Sequence, residues 1–313
     1  MQSTRMNLLL LFSRIALAPD EQALTVSQWW RLPLLREEIS RIHLYSPAQL
    51  CERYGEGLGL KMVRLLNRAD EVLRELTRYA ADGIYSLVQG DRDYPAAMAQ
   101  ALGTGSLGAP LVFLACGESA ILRQAALGVT GSREPDEEMR RFATRMGRAC
   151  AEKGLALCEG GARGVDTLCE YAALGAGGKC VCFPAVGLRA RLAHPSVERA
   201  VGEGRLLLLS SALPEEGFAT YRALARNHYI AAHAGRLLAI GARDGIGGTW
   251  RCASDALEHG WAQVFPHGGK GEETLLRLGG RTGDIFTAPN PPAGQAEPAL
   301  GCCRRFWQRI REP

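Results

Sequence analysis

The chain has 313 residues, of which 47% are hydrophobic and 22% charged, with a formal net charge of +4. That balance supports a large buried core and excludes disordered, collagen-like, coiled-coil and low-complexity classes. Its ten cysteines form no C-x-x-C pair, which excludes the common zinc pattern and fits a reducing, cytoplasmic setting.

In chain order, the first apolar run is Leu8–Phe12, bracketed by Arg5 and Arg14. It is too short and interrupted for a signal peptide, and no run reaches the roughly 18 residues of a membrane span. Residues 1–82 carry helical spacing: Leu32, Leu35, Ile39 and Ile42, then Val63, Leu66, Leu73 and Leu76. Ser46-Pro47 marks a helix start, with Ser46 as N-cap. This segment is expected to be a small helical module.

From Gly83 the pattern changes. Strand-length apolar runs occur at Ile84–Val88, Leu111–Ala115, Ala126–Thr130, Leu155–Cys158, Cys180–Pro184, Leu206–Ser210, Leu237–Ile240 and Gln263–Phe265. Helical patterns fall between them at 135–153, 166–176, 195–203, 222–233 and 249–259. Cys180 and Cys182 alternate, so they share one strand face as small hydrophobes. Alternating strands and helices predict an α/β fold, a parallel sheet covered by helices on both faces, over residues 83–287. Residues 288–313 read as a Pro/Gly-rich linker and an arginine-rich tail.

Three glycine-containing segments follow predicted strands. Gly131-Ser132-Arg133 precedes a helix, where Ser132 and free amides could donate to an anion and Arg133 adds a charged fork. The acidic residues that follow, beginning with Glu134, work against an anion locally. Gly160-Gly161-Ala162-Arg163-Gly164-Val165-Asp166 offers a side-chain-free floor, with Arg163 projecting and Asp166 suited to an N-cap. Gly245-Ile246-Gly247-Gly248-Thr249 follows the strand at 237–240 and opens another helix. Ligands of open α/β sheets bind beyond the carboxyl ends of the strands, so three such loops on one rim form an anion-friendly edge. Arg222 and Arg226 share a helix face. The crossover that carries Arg226 and Asn227 is expected to bring them to the same rim. The arginine bias fits phosphate binding, although much of it is compositional: 33 of the 37 basic residues are arginines. No nucleophile–base motif and no metal-ligand spacing is present, so neither nucleophilic catalysis nor a metal site is expected from the residues.

These segments, in this order, resemble the DNA-processing protein A family. Gly83-Ile84 with Asp91-Arg92-Asp93-Tyr94-Pro95 is similar to its G-I…D-x-x-Y-P. Gly131-Ser132-Arg133 matches its G-[ST]-R, and the loop ending at Asp166 matches S-G-x-A-x-G-[IV]-D. Arg226-Asn227-His228 falls on R-N-R, and Gly247-Gly248-Thr249 on the opening of S-G-[ST]-L-x-T-A. Departures are His228 for the last arginine, Gly160 at the serine, Cys252 at the threonine, and a tail in place of a winged-helix-like module. The resemblance implies an extended Rossmann-like fold without catalysis or cofactor, preceded over residues 1–82 by a small helix–hairpin or SAM-like module. It also implies single-stranded DNA binding in a basic rim pocket, homodimerisation, and delivery of incoming DNA to the recombinase RecA during natural transformation. The DNA-binding residues it implies are those of the three loops together with Arg226 and Asn227. Two other readings share the superfold: a nucleoside-monophosphate phosphoribohydrolase, and a nucleotide-sensing module. The first needs a glutamate three residues after the threonine, where this chain has Cys252; the nearest acids are Asp255 and Glu258.

Overall fold

The computed structural model describes residues 2–103 and 108–287; the predicted linker and tail lie outside the described residues. Six helices come first: α1 (Gln2–Phe12), α2 (Val26–Arg31), α3 (Pro33–Glu38), α4 (Pro47–Tyr54), α5 (Glu56–Leu66) and α6 (Ala69–Ala80). In α1 the run Leu8–Leu11 is buried at every position. A helical turn apolar on all sides belongs in a core, and this explains the first apolar run of the sequence as the buried last turn of α1. Ser46 caps α4 in a reciprocal box with Gln49, with Pro47 at the first position.

The remaining elements are β1 (Ile84–Val88), α7 (Ala96–Leu102), β2 (Val112–Cys116), β3 (Ala126–Gly131), α8 (Glu137–Glu152), β4 (Ala156–Glu159), α9 (Val165–Gly175) and β5 (Cys180–Cys182). They continue with α10 (Leu188–Leu192), α11 (Pro195–Gly202), β6 (Leu206–Ser210), α12 (Thr220–Ala234), β7 (Arg236–Ile240), α13 (Gly247–His259), β8 (Gln263–His267) and α14 (Glu272–Arg277). Among the described residues they form one sheet of order β1-β2-β6-β5-β4-β3-β7-β8. From β6 through β8 all pairings are parallel, which gives a Rossmann-like α/β fold. The two strands at the opposite edge depart from the expected parallel sheet. β1 pairs antiparallel with β2, and β2 antiparallel with β6. The connection through α7 leaves and returns at the same sheet edge, closed by Gln89 N–H donating to the Leu111 carbonyl. A chain that returns on the same side reverses direction and needs no crossover.

Two hydrophobic layers cover the sheet. On one face, residues of α8, α9 and α11 join Leu127, Leu157, Cys180, Cys182 and Leu208, and the layer continues into the buried leucines of α1. On the other, α7, α12, α13 and α14 pack on Phe113, Cys158, Val181, Leu207 and Ala239. No helix among the described residues is long and apolar enough to cross a membrane.

β4, β5 and β6 follow β3 to one side, and β7 then pairs on its other side. This reversal places the switch point of the strand order at β3. The carboxyl ends of β3, β4 and β7 meet there, and each leads into one of the glycine loops. Open α/β sheets bind ligands at such a point.

Candidate nucleic-acid interface

A cleft of about 840 Å³ opens at the switch point. Its wall holds Gly131, Ser132 and Arg133 after β3, Arg163 and Asp166 after β4, and Gly247, Gly248 and Thr249 at the start of α13. Arg226 and Asn227 of α12 line the same cleft. The crossover from β6 to β7 therefore carries these two residues to the rim, as the connection rule requires. Gly160 and Gly161 line a smaller adjoining cavity that shares Arg133, Arg163 and Arg226 with the first. Gly164 faces neither of these cavities and serves packing. Its φ is +95°, and a Cβ there would collide with the Ser132 carbonyl and the Arg133 backbone. The loops after β3 and β4 are thus held edge to edge, and Val165 N–H donates to the Ser132 carbonyl at 3.1 Å.

Several expected anion donors prove to be engaged within the chain. Asp166 is not an N-cap: the cap is Gly164, and Asp166 stands at the second helical position, 2% exposed. Its Oδ2 accepts from Gly160 N–H at 3.2 Å and Ala162 N–H at 3.4 Å, and lies 3.3 Å from Arg226 Nη1. Gly161 N–H donates to the Glu159 carboxylate. The loop's amides thus turn inward toward carboxylates, and the charge of Arg226 is largely balanced by Asp166. Gly160 has no Cβ because the Arg226 guanidinium lies where a Cβ would be. Ser132 is likewise local: its N–H donates to the Ile240 carbonyl at 2.9 Å, and its Oγ accepts from Glu134 N–H. Asn227 Nδ2 donates to the Gly248 carbonyl at 3.3 Å, bracing the third loop. Arg222 turns away from the cleft toward Glu216 and the Ala185 carbonyl.

What faces solvent is a different subset. Arg133 and Arg163 are exposed, Arg163 being paired with Glu134 at 2.9 Å. Ile246 offers no side chain to cap α13, leaving the first-turn amides of Gly247, Gly248 and Thr249 at the cleft wall. Such a helix start favours anions. Two cleft residues lie outside the segments singled out in the sequence, exposed Arg243 and the exposed ring of Phe218, 56% accessible; Ile246, 61% accessible, belongs to the third loop but was given no role there. Arg243 and Ile246 occupy the same loop as Gly247 and were within reach of the loop argument. Phe218 lies in a loop before α12 that carries no motif signal.

Under the loop after β4 lies a buried group of three carboxylates, Glu159, Asp166 and Glu170, and two guanidiniums, Arg191 and Arg226. Arg191 Nη2 donates to both Glu170 oxygens, at 3.0 and 2.8 Å. Glu159, Glu170 and Cys182 bring potential ligand atoms within 4.8 Å of one another. Arg191 already supplies the cation there, and burial raises the Cys182 thiol far above its usual range, so the donor set suits a protonated cluster better than a metal. Burial, reinforced by Glu170 and Asp166, raises Glu159 from 4.5 to about 8. This carboxyl was also missed. Counting back from Ala162, Gly164 and Asp166 places the serine of S-G-x-A on Glu159, and not on Gly160, so the departure in this loop is a buried acid.

Glu159 gives a pH prediction. The folded chain keeps its proton up to about pH 8, whereas the unfolded chain releases it near 4.5. Between those values the folded state binds more protons, so stability falls as pH rises and this contribution is lost above about pH 8. Glu159→Gln cannot ionise. Urea denaturation should show the natural chain losing stability relative to this variant between about pH 5 and 9, by about 1.4 kcal/mol per pKa unit at most. Parallel pH profiles would show that Glu159 is ionised throughout.

The other family positions lie inside the helix packing. His228 Nε2 is 3.2 Å from Asp255 Oδ2, and its ring packs on Trp261. Cys252 is buried, with its thiol toward the Asn227 carbonyl.

The family model for DNA recombination-mediator protein A matches residues 86–274. Among solved structures, DNA processing protein A from Streptococcus pneumoniae is similar with a TM-score of 0.66 and 20% identity, over 82% of this chain and 89% of that one. DNA processing protein A from Helicobacter pylori, described as binding single-stranded DNA in a unique mode, gives a TM-score of 0.53 and 20% identity, over 64% and 92%. Comparison with curated proteins gives no significant match.

Proposed function

The chain belongs to the DNA recombination-mediator protein A family, and from that premise we propose that its strand-end cleft holds the backbone of single-stranded DNA. The observation that carries this reading is the convergence of exposed Arg133 and Arg243 with the uncapped start of α13 on one open cleft. These groups recognise phosphate oxygens and carry little base information. An open groove with arginines and accessible apolar side chains suits a flexible single strand. In this reading the loop after β4 acts as a scaffold: Asp166 fixes Arg226 and the glycines, while Arg133 and Arg243 meet the strand.

The role is binding and hand-over, without bond cleavage. The carboxylates lining the cleft, Glu134 and Asp166, are paired with Arg163 and Arg226. Asp255 lies against His228 and is not among the cleft-lining residues. We further infer from the family that the protein acts as a homodimer and assists the loading of RecA on the bound strand. A stopped-flow measurement of RecA assembly on a preformed complex tests that step.

The test of the central reading is a fluorescence-anisotropy titration of a labelled oligonucleotide at increasing salt. Log affinity is expected to fall linearly with log salt, with a slope of about 0.7 per phosphate neutralised. Oligonucleotides of different sequence should bind alike. Absence of binding at low salt, or a salt-independent affinity, would overturn the proposal.

A further inference from the structure

The connection from β6 to α12, residues 211–219, contains no helix or strand and carries Phe218 to the cleft. It is gripped by ion pairs from the helical module. The Glu216 carboxylate accepts from both terminal nitrogens of Arg14, at 3.0 and 2.5 Å. It also accepts from Arg222 Nη1 at 3.3 Å and from Leu213 N–H at 2.9 Å. Glu215 beside it accepts from Arg78 Nη2 of α6 at 3.0 Å and from Arg189. The Glu216 carbonyl accepts from Gly187 N–H at 2.7 Å, which ties the loop to the segment after β5.

We infer that Arg14 and Arg78 are positioning residues for the cleft: from the helical module they fix the loop that presents Phe218, and through it the affinity for a single strand. The inference rests on the single-strand reading above and concerns residues that reading does not use. Among the described residues, none of the helical module lines the cleft or its adjoining cavity. Yet the two carboxylates of this loop each take a guanidinium from that module, across 137 and 202 positions of sequence. Phe218 itself is weakly held: its ring is 56% exposed, and the Arg133 guanidinium carbon lies 5.9 Å from the ring centroid. It follows Gly217, where an added Cβ would meet nothing within 4 Å, so the backbone is free to swing there. The place of the ring therefore depends on how Glu215 and Glu216 are held. Exposed ion pairs add little to global stability. Loops open locally at small cost, however, so the same pairs decide which loop position is populated.

The experiment is an anisotropy titration of a thymidine oligonucleotide with Arg14→Ala combined with Arg78→Ala. Both side chains are about half exposed, 46% and 56%, so the urea midpoint should stay near that of the natural chain. Affinity is expected to fall roughly two- to thirtyfold, the size of effect expected of residues coupled to a site they do not touch. The salt slope should not change, because no phosphate contact is removed. Arg64→Ala combined with Arg74→Ala takes the same charge from the module, where these residues pair with Glu21 and Glu71, and should keep the natural affinity. In a Phe218→Ala background the Arg14 and Arg78 changes should cost nothing further, since the residue they position is gone. Unchanged affinity in the Arg14 and Arg78 variant would overturn the positioning role and leave the cleft reading intact. So would an equal loss in both arginine pairs, a lowered salt slope, or a loss that persists without Phe218. If the natural protein binds no oligonucleotide at low salt, the cleft reading itself fails, and the positioning role with it.

Discussion

Arg226→Ala is expected to destabilise the protein by about 3–5 kcal/mol, as removal of one partner of a buried ion pair does. The Arg226 side chain is 10% exposed and that of Asp166 2%, with 3.3 Å between the charged atoms. Without Arg226, the Asp166 carboxylate would keep only the two long backbone hydrogen bonds from Gly160 and Ala162. The buried group beneath the loop already has three carboxylates to two guanidiniums, and the raised pKa of Glu159 reflects that excess. With Glu159 protonated, two carboxylates face two guanidiniums, and losing Arg226 leaves one buried negative charge unpaired. Lysine is a poor replacement, since the planar guanidinium fills the space beside Gly160 that a Cβ would otherwise occupy. The measurement is the urea midpoint, with Arg133→Ala as an exposed control expected to stay within about 0.5 kcal/mol of the natural chain. Pairing Arg226→Gln with Asp166→Asn should recover part of the loss, because no unpaired charge then remains buried. A loss under about 1 kcal/mol for Arg226→Ala alone would mean that water reaches the pair.

The largest binding effect is expected for Arg133→Ala combined with Arg243→Ala. Each removes a charged hydrogen-bonding group worth about 1.5–3 kcal/mol. If they act on separate phosphates, the double variant loses roughly 10²–10⁴-fold in oligonucleotide affinity at low salt. The salt slope should drop by about 1.4, two phosphates' worth. Both side chains are exposed, so the fold should be unaffected. Arg163→Ala should cost less, because Glu134 already occupies that guanidinium at 2.9 Å. Anisotropy titrations across a salt series decide it. An unchanged slope in the double variant would remove Arg133 and Arg243 from the phosphate path.

The strands and helices of the sheet region were legible in the sequence because their signals are local. Ala126–Thr130, Leu206–Ser210 and Gln263–Phe265 are short apolar runs bounded by polar or glycine-containing segments, and these patterns survive folding. Ser46-Pro47 marked its helix start for the same reason: a capping box is made by neighbours. The three glycine loops could be placed at strand ends, and the crossover rule carried Arg226 and Asn227 to the same rim. The short helices α7, α10 and α14 escaped, since five to seven residues hold too little periodicity to register. The antiparallel edge also escaped, because strand direction is set by how a connection returns and not by the residues of the strand.

The sequence by itself determined the fold class, the order of the elements and which loops meet at the rim. All of these follow from periodicity, turn chemistry and the handedness of crossovers. It did not determine which groups in those loops are free to meet a ligand. Arg226 and Asp166 lie 60 positions apart, and only their packing shows that they neutralise each other. The amides of Gly160 and Gly161 look available in the sequence and are taken by Asp166 and Glu159 in the fold. Phe218 and Arg243 carry no motif, yet the tertiary structure sets them on the cleft. Hydrogen-bonding capacity is a property of a residue, whereas its availability depends on every neighbour that folding brings within about 3 Å, so only the tertiary structure decides it.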